Sequence, residues 1–175
     1  LAPNGKIGLV LANGALSTQS SGEGEIRKRI IEADLVEGIV AMPTQLFYSV
    51  TIPVTLWFIS KNKQQKGKTL FIDARNMGYM VDRKHRDFTE GIQEDGSFGD
   101  IDKLAKTFGD FQNGILEEVK GFCAVADIQE IEKQDFILTP GRYVGIEEAE
   151  DNGEPFEEKM TRLTSELSDM FAKSH

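Results

Sequence analysis

Val54-Thr55-Leu56-Trp57-Phe58-Ile59 is the feature that most restricts the folds open to this chain. Its β-branched and aromatic side chains suit a pleated, half-buried surface, which makes it the strongest strand signal in the sequence. The apolar run from Ile52 to Ile59 is far too short to cross a bilayer as a helix, so its place is inside a packed sheet. Upstream, Ile7 to Leu11 is a short apolar run closed by Ala12-Asn13-Gly14, and Gly38 to Met42 is a second run stopped by Pro43. Between these two runs, Ser20 and Glu23 form a capping-box signal, and Ile26, Ile30 and Ile31 then share a helix face. Downstream, a loop carrying Lys61, Lys63, Lys66 and Lys68 around Gly67 leads to a shorter strand candidate, Leu70-Phe71-Ile72. Residues 1–75 therefore read strand, helix, strand, strand, strand. That is an α/β pattern whose last strands lie close enough in sequence to be antiparallel neighbours.

The character changes after Arg75. Residues 76–100 are polar and punctuated by glycine, with Met77, Tyr79, Met80 and Phe88 as scattered anchors. Asp100 is placed to cap a helix with Ile101, Leu104, Ala105, Phe108 and Phe111 on its apolar face. Phe122 to Val125 reads as a short extended segment, and Asp127 with Glu130 forms a second capping pair, opening a helix that runs through Lys133. Thr139 to Gly145 is rich in turn residues, and Asp151-Asn152-Gly153 reads as a linker. In the helix that follows, Phe156, Met160, Leu163, Leu167 and Met170 alternate at spacings of four and three, the seam of a short coiled coil. A helix that short needs something to pack on, either its own domain or a partner. The chain thus divides into residues 1–75, 76–150 and 151–175.

Bulk properties narrow the function. The 175 residues suffice for a substantial core, and the net charge of −9 argues against a free-standing nucleic-acid binder, because phosphate binding draws on Lys and Arg. A single cysteine, Cys123, cannot form an internal disulfide, which fits a reducing, cytoplasmic setting. Lying between Phe122 and Ala124, it reads as a small buried hydrophobe. Two histidines, His85 and His175, with no clustered spacing give no metal site. No signal segment opens the chain, and no membrane association is expected.

The stretch Met42-Pro43-Thr44-Gln45-Leu46-Phe47-Tyr48-Ser49-Val50-Thr51-Ile52-Pro53, continuing into the Val54 strand, resembles a region of amino-methylating DNA methyltransferases. There a strand ends in a proline turn, an aromatic follows, and an antiparallel strand closes the sheet. The resemblance implies that Phe47, with Tyr48 as the alternative, stacks on a target base flipped out of the duplex, as chemistry on a base amine requires. An aromatic between two strands is otherwise a core residue, and both roles remain open for Phe47. The loop lysines 61, 63, 66 and 68 would approach DNA phosphates or else form a solvated turn. Lys6 to Gly14, Gly22 to Glu32 and Leu35 to Pro43 look like the family's fifth strand, the helix after it, and the sixth strand. Phe71-Ile72-Asp73-Ala74-Arg75, Gly121-Phe122-Cys123 and Leu138-Thr139-Pro140-Gly141-Arg142-Tyr143-Val144-Gly145 resemble the modification subunit of type I restriction-modification systems. The expected fold is therefore the C-terminal part of a Rossmann-like methyltransferase sheet, its last strands and an antiparallel hairpin, followed by a mostly helical extension.

That family binds S-adenosylmethionine through a glycine-rich loop and activates the adenine amine with an Asn-Pro-Pro-aromatic tetrad. Neither occurs here: Ala2-Pro3-Asn4-Gly5 is not the tetrad, and Gly22-Glu23-Gly24 has neither the preceding strand nor the spacing. Catalytic and donor-binding residues are expected upstream of Leu1, so this chain by itself is expected to be inactive. Two readings follow. As part of an enzyme, the chain belongs to an adenine-specific methyltransferase that works on duplex DNA with a DNA-specificity subunit and a restriction subunit. As a non-catalytic assembly module, it binds the specificity subunit through residues 76–150 and the C-terminal seam. A sheet cut off from its first strands would also leave an open edge, which self-association or a rearranged extra strand is expected to hide.

Overall fold

The computed structural model describes residues 2–47 and 51–145, together with residues 160 and 164. Tyr48 and four members of the C-terminal seam, Phe156, Leu163, Leu167 and Met170, lie outside the described residues. Met160 is helical, and the Thr164 hydroxyl donates to its carbonyl at 2.7 Å.

The Val54 strand, β3 (Val54–Ser60), sits inside a mixed, mostly antiparallel five-stranded sheet with β1 (Lys6–Ala12), β2 (Val36–Ala41), β4 (Lys68–Asp73) and β7 (Cys123–Asp127). The order is β1-β3-β2-β4-β7. β3 runs antiparallel to both β1 and β2, from Lys6↔Ser60 to Ala12↔Val54 on one side and from Val36↔Ile59 to Ala41↔Thr55 on the other. β2 and β3 are thus the expected antiparallel neighbours, but β3 and β4 are not. Both edges of β3 are occupied, so β4 takes the free edge of β2 and pairs with it in parallel. Residues 61–67 carry the chain across the start of β2 to reach that edge.

Alternation along the strands divides the core between two faces. Ile39, Trp57, Phe71, Ala124 and Ala126 point to one face, where they meet Leu16, Ile31, Ile131 and Leu138. Val40, Val54, Leu70, Ile72 and Cys123 point to the other, under the helix α2 (Asp100–Gln112). Because β2 is covered on both sides, all six of its residues are buried, Glu37 among them, the physical reason for the apolar run that starts at Gly38. Gly38 lets α2 approach closely, since a Cβ there would lie 3.0 Å from the Phe108 ring.

The helices turn differently from the periodicity expected of them. α1 (Glu23–Glu32) starts from Gly22, which has φ 78°, and no side chain caps it. Ile26 is 59% exposed, and the helix buries Arg27 beside Ile31 instead. The Arg27 guanidinium donates to the carbonyls of Phe136 at 2.6 Å, Thr18 at 2.9 Å and Ala15 at 3.3 Å, tying three segments together. In α2, Ile101 is exposed while Thr107 and Phe111 are buried, with Leu104 and Phe108 packed beside them. Gly99 is its N-cap residue, and the Asp100 carboxylate accepts from the amide and hydroxyl of Thr89 at 3.0 and 2.8 Å. The second capping pair forms as expected: Asp127 and Glu130 make a reciprocal capping box on α3 (Ile128–Lys133).

Elements on both sides of residue 75 share this sheet, because β7 pairs antiparallel with β4 and α2 covers one face. β1 lies at the open end of the sheet, with Leu9 and Val10 exposed, and no strand among the described residues covers its outer edge. Phe71, fully buried, stacks on Tyr143 with ring centroids 3.8 Å apart and planes 9° from parallel. Replacing Phe71 with Ala is expected to cost about 3–5 kcal/mol, read as a lowered urea midpoint of this chain.

Candidate functional site

β1, β2 and β4 are mutually parallel, so their C-terminal ends gather on one rim of the sheet, where ligands of open α/β sheets bind. The chain leaves β2 at this rim through the buried Met42 and Pro43, then turns at Gln45, which takes φ 68°. Two residues later Phe47 stands 45% exposed, so it is not a core residue in this chain. Ile52, on the return of the same loop, is also exposed before β3 begins at Val54.

A small hairpin, β5 (Tyr79–Met80) and β6 (Arg86–Asp87), packs beside this loop. The Arg86 amide donates to the Gln45 carbonyl at 2.9 Å, and its guanidinium donates to the Met77 and Gly78 carbonyls at 2.9 and 3.3 Å. Gly78 has φ 81°, and a Cβ there would come within 2.6 Å of the Asp87 carbonyl, so this contact needs glycine. At the hairpin tip the Asp82 carboxylate meets the His85 ring and accepts from the amides of Lys84 and His85 at 2.7 and 2.9 Å. These bonds, with the His85 ring first among them, hold the Asp82 carboxyl below the usual carboxylate range. Sequence reasoning read residues 76–100 only as scattered anchors. No local pattern marked the hairpin, because each of its strands is only two residues long.

The four loop lysines lie elsewhere. They follow the C-terminal end of β3, whereas Phe47 precedes its start, so the length of that strand, roughly 20 Å, separates the two. Lys63 is 3% exposed, and its ammonium is held by Asp34, which also accepts the Gly67 amide at 2.9 Å. Asp34, with φ 53° at the turn into β2, thereby fastens the crossover loop that starts β4. Lys61, Lys66 and Lys68 are exposed. The lysines and Phe47 do not share a rim.

Three separate sequence segments meet at the end of β4. Phe71 stacks on Tyr143, the Asp73 amide donates to the Phe122 carbonyl at 2.8 Å, and the Gly121 amide donates to the Val144 carbonyl at 2.9 Å. Arg75 forks onto the Asp73 carboxylate, and a Cβ on Gly141 would lie 3.3 Å from that guanidinium. The Tyr143 hydroxyl donates to the Ile137 carbonyl at 2.6 Å, and burial pushes its pKa up to about 12. Arg142 is exposed and reaches Gln134 at 3.2 Å. Cys123 is buried, which raises its thiol pKa. Among the described residues no group of His, Cys, Asp and Glu could hold a metal ion, and no helix is long and apolar enough to cross a membrane.

The domain is thus a mixed α/β sheet whose parallel strands end on one rim, with an exposed aromatic on the turn into an antiparallel strand. The family model described as N-6 DNA Methylase matches residues 1–152, and the chain belongs to that family. It is 53% identical over 175 residues to the type I restriction enzyme HindI methylase subunit of Haemophilus influenzae, covering 99% of this chain and 38% of that protein. It is 50% identical over 171 residues to the MjaIX methylase subunit of Methanocaldococcus jannaschii, covering 95% of this chain and 29% of the relative. The chain thus spans well under half the length of these relatives. Among solved structures, the type I methyltransferase subunit from Streptococcus thermophilus aligns with a TM-score of 0.65 at 24% identity, over 82% of this chain and 27% of its own. The EcoKI M protein aligns with a TM-score of 0.60 at 14% identity, over 97% of this chain and 40% of its own, so both share the fold.

The family implies use of S-adenosylmethionine. The glycine pair of this chain that superficially resembles a donor loop, Gly22 and Gly24, does not fit a site for it. Gly22 is the left-handed cap of α1, with φ 78°, and the space a Cβ would take on Gly24 is filled by Gln19 Oε1 at 1.8 Å, so Gly22 serves the turn into the helix and Gly24 faces a side chain instead of an open cradle.

The different settings of the loop lysines carry a test. Lys63→Ala is expected to destabilise the chain by about 2–3 kcal/mol, because it strands Asp34 and frees the crossover loop. Lys66→Ala and Lys68→Ala should each change stability by less than about 0.5 kcal/mol in the same urea titration.

Proposed function

We propose that this chain is the C-terminal part of the modification subunit of a type I restriction-modification system, which transfers methyl from S-adenosylmethionine to the exocyclic amine of adenine in duplex DNA. The observation that carries this reading is Phe47, exposed on the rim where the parallel strands end, in a chain of the N-6 DNA methylase family. A flipped base loses its stacking neighbours, and a flat side chain beside the amine-modifying centre offsets part of that loss. The donor pocket and the acceptors that hold the adenine amine lie in the part of the parent protein preceding residue 1. The order β1-β3-β2 then corresponds to the family's fifth, closing and sixth strands, and the open edge of β1 is where that preceding part docks. Residues 1–75 complete the catalytic domain, and residues 76–150 are an extension built onto the same sheet. The C-terminal seam packs against the DNA-specificity subunit of a cytoplasmic complex that also contains the restriction subunit. An isolated chain, its β1 edge unpaired, self-associates.

Phe47→Ala in the full-length protein, assembled with its specificity subunit, is expected to lower methyl transfer to DNA. Stacking worth about 1–3 kcal/mol corresponds to a loss of roughly 5- to 150-fold. The fluorescence of 2-aminopurine at the target position should change with it, while donor binding stays unaltered. An unchanged rate and an unchanged base signal would remove Phe47 from the site. Calorimetry with S-adenosylmethionine should show no binding to residues 1–175 alone and binding to the full-length protein. Tight binding to the short chain would mean that the donor site has been misplaced.

A further inference from the structure

The β5–β6 hairpin is an exposed element that the stacking role of Phe47 does not use. Its strands and tip present Tyr79, Met80 and Val81 to solvent, with 50%, 41% and 59% of each exposed. Arg83 and Lys84 stand exposed at the turn, and neither has an ion-pair partner among the described residues. The two acids of the hairpin are occupied locally: Asp82 by His85 and two backbone amides, Asp87 by the Phe88 amide at 2.8 Å. The turn is held closed by the Val81 amide, which donates to the His85 carbonyl at 2.9 Å. Two cations, Arg83 and Lys84, against the single tip carboxylate of Asp82 leave the tip net positive, on a chain whose net charge is −9. The hairpin is fixed to the Phe47 loop through the Arg86 amide and the Gln45 carbonyl, two residues from the aromatic.

We propose that this hairpin is a DNA clamp, in which Arg83 and Lys84 bind backbone phosphates next to the base that Phe47 receives. The inference rests on the reading of Phe47 above and adds the surface that holds the duplex in place. An extruded base leaves its flanking phosphates close to the pocket mouth, and cations on a preformed turn bind them without a large ordering cost. Such contacts position the duplex and carry no sequence information, so the clamp works with any target that a separate specificity element selects. The loop lysines at the opposite end of β3 do not take part.

The test measures DNA binding by the full-length protein, assembled with its specificity subunit, across a range of salt concentrations. Replacing both Arg83 and Lys84 with Ala should flatten the slope of log K against log salt by about 2 and weaken binding on the order of ten-fold or more near physiological salt. Target and non-target duplexes should be affected alike. At saturating DNA the 2-aminopurine signal should persist, because Phe47 is intact. Replacing Lys66 and Lys68 together should leave the slope unchanged. A wild-type slope in the Arg83/Lys84 variant overturns the clamp while leaving the role of Phe47 standing. Equal flattening by both pairs overturns it too, since that would report only diffuse charge. A wild-type assembly that does not methylate DNA brings down both the functional reading and the clamp.

Discussion

β3 is hydrogen-bonded on both edges, antiparallel to β1 on one side and to β2 on the other, and the rest of the structure follows from that placement. It makes β1 and β2 parallel without direct contact and denies β4 an edge of β3, so that β4 pairs with the far edge of β2. The link from β2 to β3 must then turn back at the rim where the parallel strands end, which brings Phe47 to the surface at the place where such sheets bind ligands. A strand buried on both edges also has little freedom to slip, because a one-residue shift would exchange Trp57 and Phe58 between the two faces of the core.

The crossover that this topology requires is secured by charge. Asp34, in a left-handed turn between α1 and β2, holds the Lys63 ammonium and the Gly67 amide and so fixes the loop as it passes over the start of β2. Arg27 acts in a similar way from α1, donating to the carbonyls of Ala15 and Thr18 in one segment and of Phe136 in another. Lys63 and Arg27 are long cationic side chains spent on a turn carboxylate and on loop carbonyls, and these acceptors offset part of the cost of burying them. At the end of β4 the joining is apolar and backbone-mediated: Phe71 against Tyr143, with Gly121 and Phe122 hydrogen-bonded to Val144 and Asp73. The short segments that mark the subfamily in the sequence are thus one structural junction.

Much of this was legible from local pattern. The apolar runs gave β1 to β4 at close to their observed bounds, and the Asp127–Glu130 spacing gave α3 with its cap, because caps and strand alternation depend on residues a few positions apart. The faces of α1 and α2 were less legible. Ile26 and Ile101 have the right spacing for burial but lie exposed, while Arg27 and Thr107 are buried, since the face a helix turns inward depends on what waits across from it. The hairpin of residues 79–87 was invisible in advance because each of its strands is two residues long and is held by Gln45 and Met77, which are remote in sequence or outside the pairing.

By itself the sequence determined the α/β class, the order of the longer strands and helices, the aromatic before β3 and the family resemblance, all of which rest on neighbours along the chain. The tertiary structure alone decided that β3 inserts between β1 and β2 and that Phe47 is exposed. It also decided that the lysine loop lies at the opposite end of the sheet from Phe47, with Lys63 consumed as a structural cation. Strand pairing and burial are settled by contacts between segments tens of residues apart, and no local spacing records which of the available edges and faces those segments will take.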